Sequence, residues 1–165
     1  MDNETRIKII ERFDSYYSGL NNKGAFLLSF NTFLIGAFLV GYKDIFELIT
    51  FYNKCLFKIL VGSLLFLSII SMILTIISIR PYLKPSIDND KKSNWFFNDV
   101  ITDKKQDFFE RINNSSSEEQ ESDLNNQIYV LAKGLRMKHL LIKAALMLNL
   151  IGIVILIPVI YLILK

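Results

Sequence analysis

Residues 59–79 read ILVGSLLFLSIISMILTIISI, 21 positions in a row without a charge. A helix needs about 20 mostly apolar residues to cross the hydrocarbon core of a bilayer, so this stretch can span one with little to spare. Upstream, Gly24 to Tyr42 is a second uncharged run, and downstream Ala144 to Leu164 is a third. Three such runs predict an all-α integral membrane protein with three transmembrane helices. An amino-terminal amphipathic helix precedes them, and a small helical cytoplasmic segment lies between spans two and three. The hydrophobic share of 52% agrees, because the charges crowd into the remaining segments.

The resulting organisation is residues 1–23 as an amino-terminal cytoplasmic helix, 24–42 as the first span and 43–54 as a short extracytoplasmic loop. Residues 55–79 form the second span, 80–140 the helical cytoplasmic segment and 141–165 the third span. The first run is read as a retained anchor, since its polar leader carries Asp2, Glu4, Glu11 and Asp14 and no A-x-A pattern follows. Orientation follows from Lys and Arg, which accumulate on the cytoplasmic side. They crowd the leader and the segment from Arg80 to Lys143, whereas the 43–58 connection has only Lys43, Lys54 and Lys58. Both termini are thereby assigned, the amino end cytoplasmic and the carboxyl end extracytoplasmic.

Within 4–20, Ile7, Ile10, Tyr17 and Leu20 recur at near-helical spacing, with Asn3 as a candidate cap. This helix either lies on the inner surface or packs on the cytoplasmic segment, or else extends the first span into solvent. Pro81 and Pro85 end the second helix, and a loop follows from Ser86 to Ser93. Phe97, Ile101, Phe108 and Ile112 then mark an apolar helical face, and the polar 113–120 run separates it from a helix carrying Leu124, Ile128, Leu131 and Leu135. Ser117 or Ser122 is the expected cap, and that helix runs into the third span.

The three runs hold no Asp or Glu, which disfavours proton relays and cation-coupled transport. No nucleophile, base and metal set marks an enzyme. Cys55 and His139 each stand alone, leaving no ligand cluster for a metal, and no cofactor is expected. Small and weakly polar residues instead form stripes: Ala25, Ser29, Thr32 and Gly36; Ser68, Ser71, Thr75 and Ser78; and Ala145, Asn149 and Gly152. Such stripes let helices approach closely, and Asn31 and Asn149 can donate between them. They serve packing within one bundle, or else face another subunit or a water path. Pro158 interrupts the third span and is either accommodated or a gate hinge.

Four segments, NKGAFLLSFNTFLIG (22–36), ISIRPYL (77–83), NWFFNDV (94–100) and LAKGLRMKHLLIKAALMLNLIG (131–152), together resemble the transmembrane effectors of bacterial Pycsar antiphage systems. The resemblance extends over about residues 5–160. It implies a defence role in abortive infection, in which a partner nucleotide cyclase makes cyclic UMP or cyclic CMP. That ligand activates the effector, which impairs the inner membrane and stops growth of the infected cell. Related membrane effectors answer cyclic di- or trinucleotides. The partners implied are the bilayer, the cyclic nucleotide and further copies of the chain, with no nucleic acid.

For such a ligand the residues offer Arg80, Lys133 and Arg136 to a phosphate and Trp95, Phe96 and Phe97 to a base. Each has a plainer role as a membrane-edge anchor, a solvated cation or a packed aromatic. The alternative is a non-enzymatic structural or scaffolding membrane protein that recruits a partner through its cytoplasmic helices.

Overall fold

The structure, a computed structural model, describes residues 2–81 and 92–164. Its helices are α1 (Asn3–Leu48), α2 (Lys54–Ile79), α3 (Phe97–Thr102), α4 (Lys105–Asn114) and α5 (Ser117–Leu164), with a 3-10 turn at Phe51–Asn53. Three helical stretches are long and apolar enough to cross a membrane, and no strand occurs among the described residues. The fold is the all-α membrane-spanning one that the apolar runs predict. Most of the loop placed at 86–93 lies outside the described residues.

α1 joins the amphipathic leader and the first span in one uninterrupted helix, as a chain with no proline before Pro81 permits. Its cap is Asp2 rather than Asn3. Hydrogen bonding from the Thr5 side chain, aided by the Thr5 backbone, holds the Asp2 carboxyl below the ordinary carboxylate range. At the other end the apolar run stops at Tyr42 while the helix continues to Leu48. Nothing between Lys43 and Leu48 breaks it, and Ile45 and Phe46 pack onto the core beyond it. Thr50, with extended ψ of 144°, turns the chain, and the Asn53 N–H donates to the Thr50 carbonyl at 2.9 Å.

α2 ends at Arg80, whose ψ of 141° is the extended conformation that a following proline imposes. α5 starts in a capping box at Ser116, one residue ahead of the expected cap at Ser117. The Glu119 N–H donates to Ser116 Oγ at 3.2 Å and the Ser116 N–H to Glu119 Oε2 at 3.1 Å. α5 then continues through Pro158 to Leu164.

The chain divides into two compact units, one of Met1–Ser18 with Pro81–Met137, the other of Gly19–Arg80 with Lys138–Lys165. In the second, α1, α2 and α5 pack along seams with one period. Buried positions on α2 are Phe57, Val61, Leu64, Ser68, Ser71, Thr75 and Ser78, which alternate steps of four and three. Leu20, Gly24, Leu27, Asn31 and Leu34 repeat that rhythm on α1, and Lys138, Ile142, Ala145, Asn149 and Gly152 on α5. A mean spacing of 3.5 is that of knobs-into-holes packing. The seam is apolar at one end, where Ile49, Phe57, Val61, Val159 and Leu162 cluster, and polar at the other.

At Gly24, α1 comes close to α2. A methyl there would lie 2.8 and 2.9 Å from Cδ1 and Cγ1 of Ile79. Gly24→Ala asks only that the end of Ile79 move, whereas Gly24→Leu forces α1 and α2 apart. We expect the leucine variant to lose about 1–3 kcal/mol, read as a lower melting temperature in detergent, and the alanine variant clearly less.

The first unit is held by partly buried polar contacts between the starts of α1 and α5. Arg6, 4% exposed, donates from Nε to Asn125 Oδ1 at 3.0 Å, from Nη1 to Asn3 Oδ1 at 2.8 Å and from Nη2 to Glu121 Oε2 at 2.7 Å. Tyr17 Oη donates to the Leu131 carbonyl at 2.8 Å. Leu124 and Val130 fill the apolar positions between these contacts.

Candidate functional site

In the membrane-spanning unit the polar half of the seam converges on Ser71. Asn31 Nδ2 from α1 donates to Ser71 Oγ at 3.3 Å, and Asn149 Nδ2 from α5 donates to it at 3.1 Å. Ser71 Oγ in turn donates to the Ala145 carbonyl at 3.1 Å. One hydroxyl therefore uses its proton and accepts from two further helices, its full capacity. Thr75 returns its hydroxyl to the Ser71 carbonyl at 2.7 Å. Asn31 Nδ2 also bonds the Leu27 carbonyl at 2.9 Å, while Asn31 Oδ1 is buried with no partner among the described residues.

Nearer the end of α2, Ser78 Oγ donates to the Lys138 carbonyl at 3.1 Å and Lys138 Nζ to the Ile79 carbonyl at 3.3 Å. A cation at a helix carboxyl end meets both unpaired carbonyls and the negative end of the helix dipole. The arrangement ties α5 to the last turn of α2. Lys138 belongs to the basic segment from Arg80 to Lys143, whose composition does not tell which lysine turns inward.

Of the residues singled out for packing or gating, Asn31, Ser71, Thr75, Asn149 and Gly152 lie on the buried seams. Ser29 and Thr32 are exposed on α1 and Gly36 is half-buried, so this stripe lies away from the seam that α1 buries. Pro158 is also exposed.

In the other unit, the turn before α3 is built on Ser93, which is 1% exposed. Its Oγ accepts from the backbone N–H of Trp95 and of Phe96, both at 3.1 Å, and from Gln127 Nε2 at 3.0 Å. The Ser93 N–H donates to Asp99 Oδ2 at 2.9 Å and the Asn94 N–H to Asp123 Oδ2 at 2.7 Å. α3 and α5 thus fix the turn that carries three aromatic rings. Trp95 is 52% and Phe97 62% exposed, and the Phe96 and Phe97 rings lie 5.3 Å apart. Ser93, Asp99, Asp123 and Gln127 escaped the sequence reading because each is an ordinary polar residue in a polar segment.

Lys133 and Arg136 are exposed on α5 and form no ion pair among the described residues. Arg80, the carboxyl cap of α2, is exposed and belongs to the membrane-spanning unit. Asp103, which with Arg111 reads in sequence as part of a solvated helix face, lies between α3 and α4 and is shared by Lys92 and Arg111. The Lys92 hydrogen bond first, and the Arg111 charge after it, hold the Asp103 carboxyl below the ordinary range. Arg111 Nη2 stands 3.1 Å from Asp103 Oδ2 but out of hydrogen-bonding line, with its guanidinium over the Phe108 ring.

The membrane-spanning unit offers a neutral hydrogen-bonded junction, and the other unit an aromatic-bearing turn held by side-chain hydrogen bonds. Neither holds a nucleophile beside a base. No group of three or more His, Cys, Asp or Glu that could hold a metal occurs among the described residues.

No curated protein and no solved structure matches the chain. Residues 6–165 match the model of the Pycsar effector protein domain, and the chain therefore belongs to that family of membrane effectors of antiphage defence.

Proposed function

We propose that this effector is switched on by a cyclic pyrimidine nucleotide, cyclic UMP or cyclic CMP, made by a partner cyclase, and that it then impairs the inner membrane and stops the infected cell. Membership of the family over 6–165 is the observation that carries this reading. The amino terminus is cytoplasmic and the carboxyl terminus extracytoplasmic, which puts the Trp95–Phe97 turn where a cytosolic nucleotide can reach it.

The base stacks on Trp95, Phe96 or Phe97, whose turn is pre-set by Ser93, and the phosphate is met by Lys133 or Arg136. α1 and α5 each contribute to both compact units. A ligand that favours one arrangement of their first turns can therefore bias the spans they continue into. Copies associate through the Ser29, Thr32 and Gly36 face of α1, on which Ser29 and Thr32 are exposed, and Pro158 lets α5 bend as the bundle opens. No catalytic step is involved.

Trp95 is the only tryptophan in the chain, so its emission reports this turn alone. Cyclic UMP or cyclic CMP added to the purified protein is expected to quench it. The same addition to vesicles holding the protein releases trapped dye. Trp95→Ala should weaken the nucleotide response about tenfold, within the range of one base-aromatic stack. Absence of both quenching and leakage across a panel of cyclic mono- and dinucleotides would favour the scaffolding alternative.

A further inference from the structure

The geometry points to a binding site for the phosphate of an anionic phospholipid at the α1–α2 turn, built by Lys54 and Lys58. This is independent of nucleotide activation. The two ammonium groups, one helical turn apart on α2, approach the same ring: Lys54 Nζ is 4.9 Å and Lys58 Nζ 5.0 Å from the Phe46 centroid. Tyr42 stacks near-parallel on that ring, with an interplanar angle of 11°, and Phe57 lies 6.4 Å away on the far side of the α1–α2 contact.

Two like charges drawn to one ring repel each other, and the ring quadrupole answers them only in part. A carboxylate would complete the cluster. Asp44 and Glu47 are close in sequence, yet neither lysine forms an ion pair among the described residues. A phosphate diester has the missing charge and two free oxygens, one for each ammonium.

Position selects a lipid over a free anion. Lys58 immediately precedes the uncharged run 59–79, so its ammonium stands at the boundary between headgroups and hydrocarbon. Phe51 and Tyr52 are 84% and 93% exposed at the same turn, as aromatics are in the interfacial belt. Within two residues of the lysines on α2, Leu56 and Ile59 are exposed and provide apolar surface for acyl chains. A soluble phosphate would use none of these apolar groups.

The test is native mass spectrometry of the full-length protein from micelles holding equal phosphatidylglycerol and phosphatidylcholine. Wild type is expected to retain phosphatidylglycerol preferentially. Lys54→Gln with Lys58→Gln should lower that retention about 25-fold, from about fivefold for each lysine near an anionic surface. Lys54→Arg with Lys58→Arg should restore it, which separates charge recognition from misfolding. Lys104→Gln with Lys105→Gln removes equal charge elsewhere and should leave retention unchanged. The proposal is overturned if wild type shows no preference, if both glutamine pairs lose retention equally, or if the arginine pair fails to restore it. Displacement of the lipid by inorganic phosphate or glycerol phosphate at equal concentration would assign the cluster to a free anion and overturn it too.

Discussion

Ser71→Leu is expected to destabilise the membrane-spanning unit by about 3 kcal/mol. Two effects add. The added methylenes enter a position with no exposure, between α1 and α5, where overpacking costs about 1–3 kcal/mol. The hydroxyl that joins Asn31, Asn149 and the Ala145 carbonyl also disappears. Interhelical hydrogen bonds in membranes contribute only about 0.6 kcal/mol each, yet three are lost at once and no water replaces them. Ser71→Ala removes the bonds without the crowding and should cost about half as much. Thermal unfolding in detergent, compared across the two variants, separates the terms. Equal losses would show that packing contributes nothing, and a neutral leucine variant would mean that the seam does not close at Ser71.

That network explains what the sequence could and could not convey about the spans. Their existence was plain, because 21 uncharged residues have few other uses. Which side of each helix faces its neighbours was plain only where polar residues marked it. Ser68, Ser71, Thr75 and Ser78 fall on the buried seam of α2, and Asn149 and Gly152 on that of α5. On α1, Ala25, Ser29, Thr32 and Gly36 have the right period in the wrong phase for the seam, which instead follows Gly24, Leu27, Asn31 and Leu34. In water the apolar face would have settled the phase. In lipid both faces are apolar, and Asn31 alone pointed inward.

The polar segments failed to disclose their contacts for another reason. α4 ends at Asn114 and α5 begins at Ser117, so the stretch expected to be a flexible separator over 113–120 is mostly helical. The capping signal S-x-x-E at Ser116 and Glu119 was present, but the runs of Asn and Ser around it read as loop. Likewise, Ser93 and Asp103 become organising residues only through partners many positions away. Lys92 is 11 residues from Asp103, and Gln127 is 34 from Ser93. No local period records such pairings.

Arg6→Ala should loosen the other unit by about 3 kcal/mol. The guanidinium is buried and directs three donors at Asn3, Asn125 and Glu121, of which the last is charged. Removing one side of a fully buried pair costs about 3–5 kcal/mol, and Glu121, 45% exposed, recovers part of that by returning to water. Arg6→Lys keeps the charge but not the planar fork, so it cannot serve Asn125 and Glu121 from separate nitrogens and should rescue little. Amide hydrogen exchange locates the effect. Protection over residues 3–18 and 117–131 should fall about 100-fold in the alanine variant while residues 59–79 keep theirs, because helices open locally where their tertiary contacts are lost. If the nucleotide acts on this unit, the same variant should also respond to it at altered concentration, since the ordering it opposes or assists now costs a different amount. Unchanged protection in 3–18 would show that Tyr17 and the Leu124 packing hold α1 to α5 without Arg6.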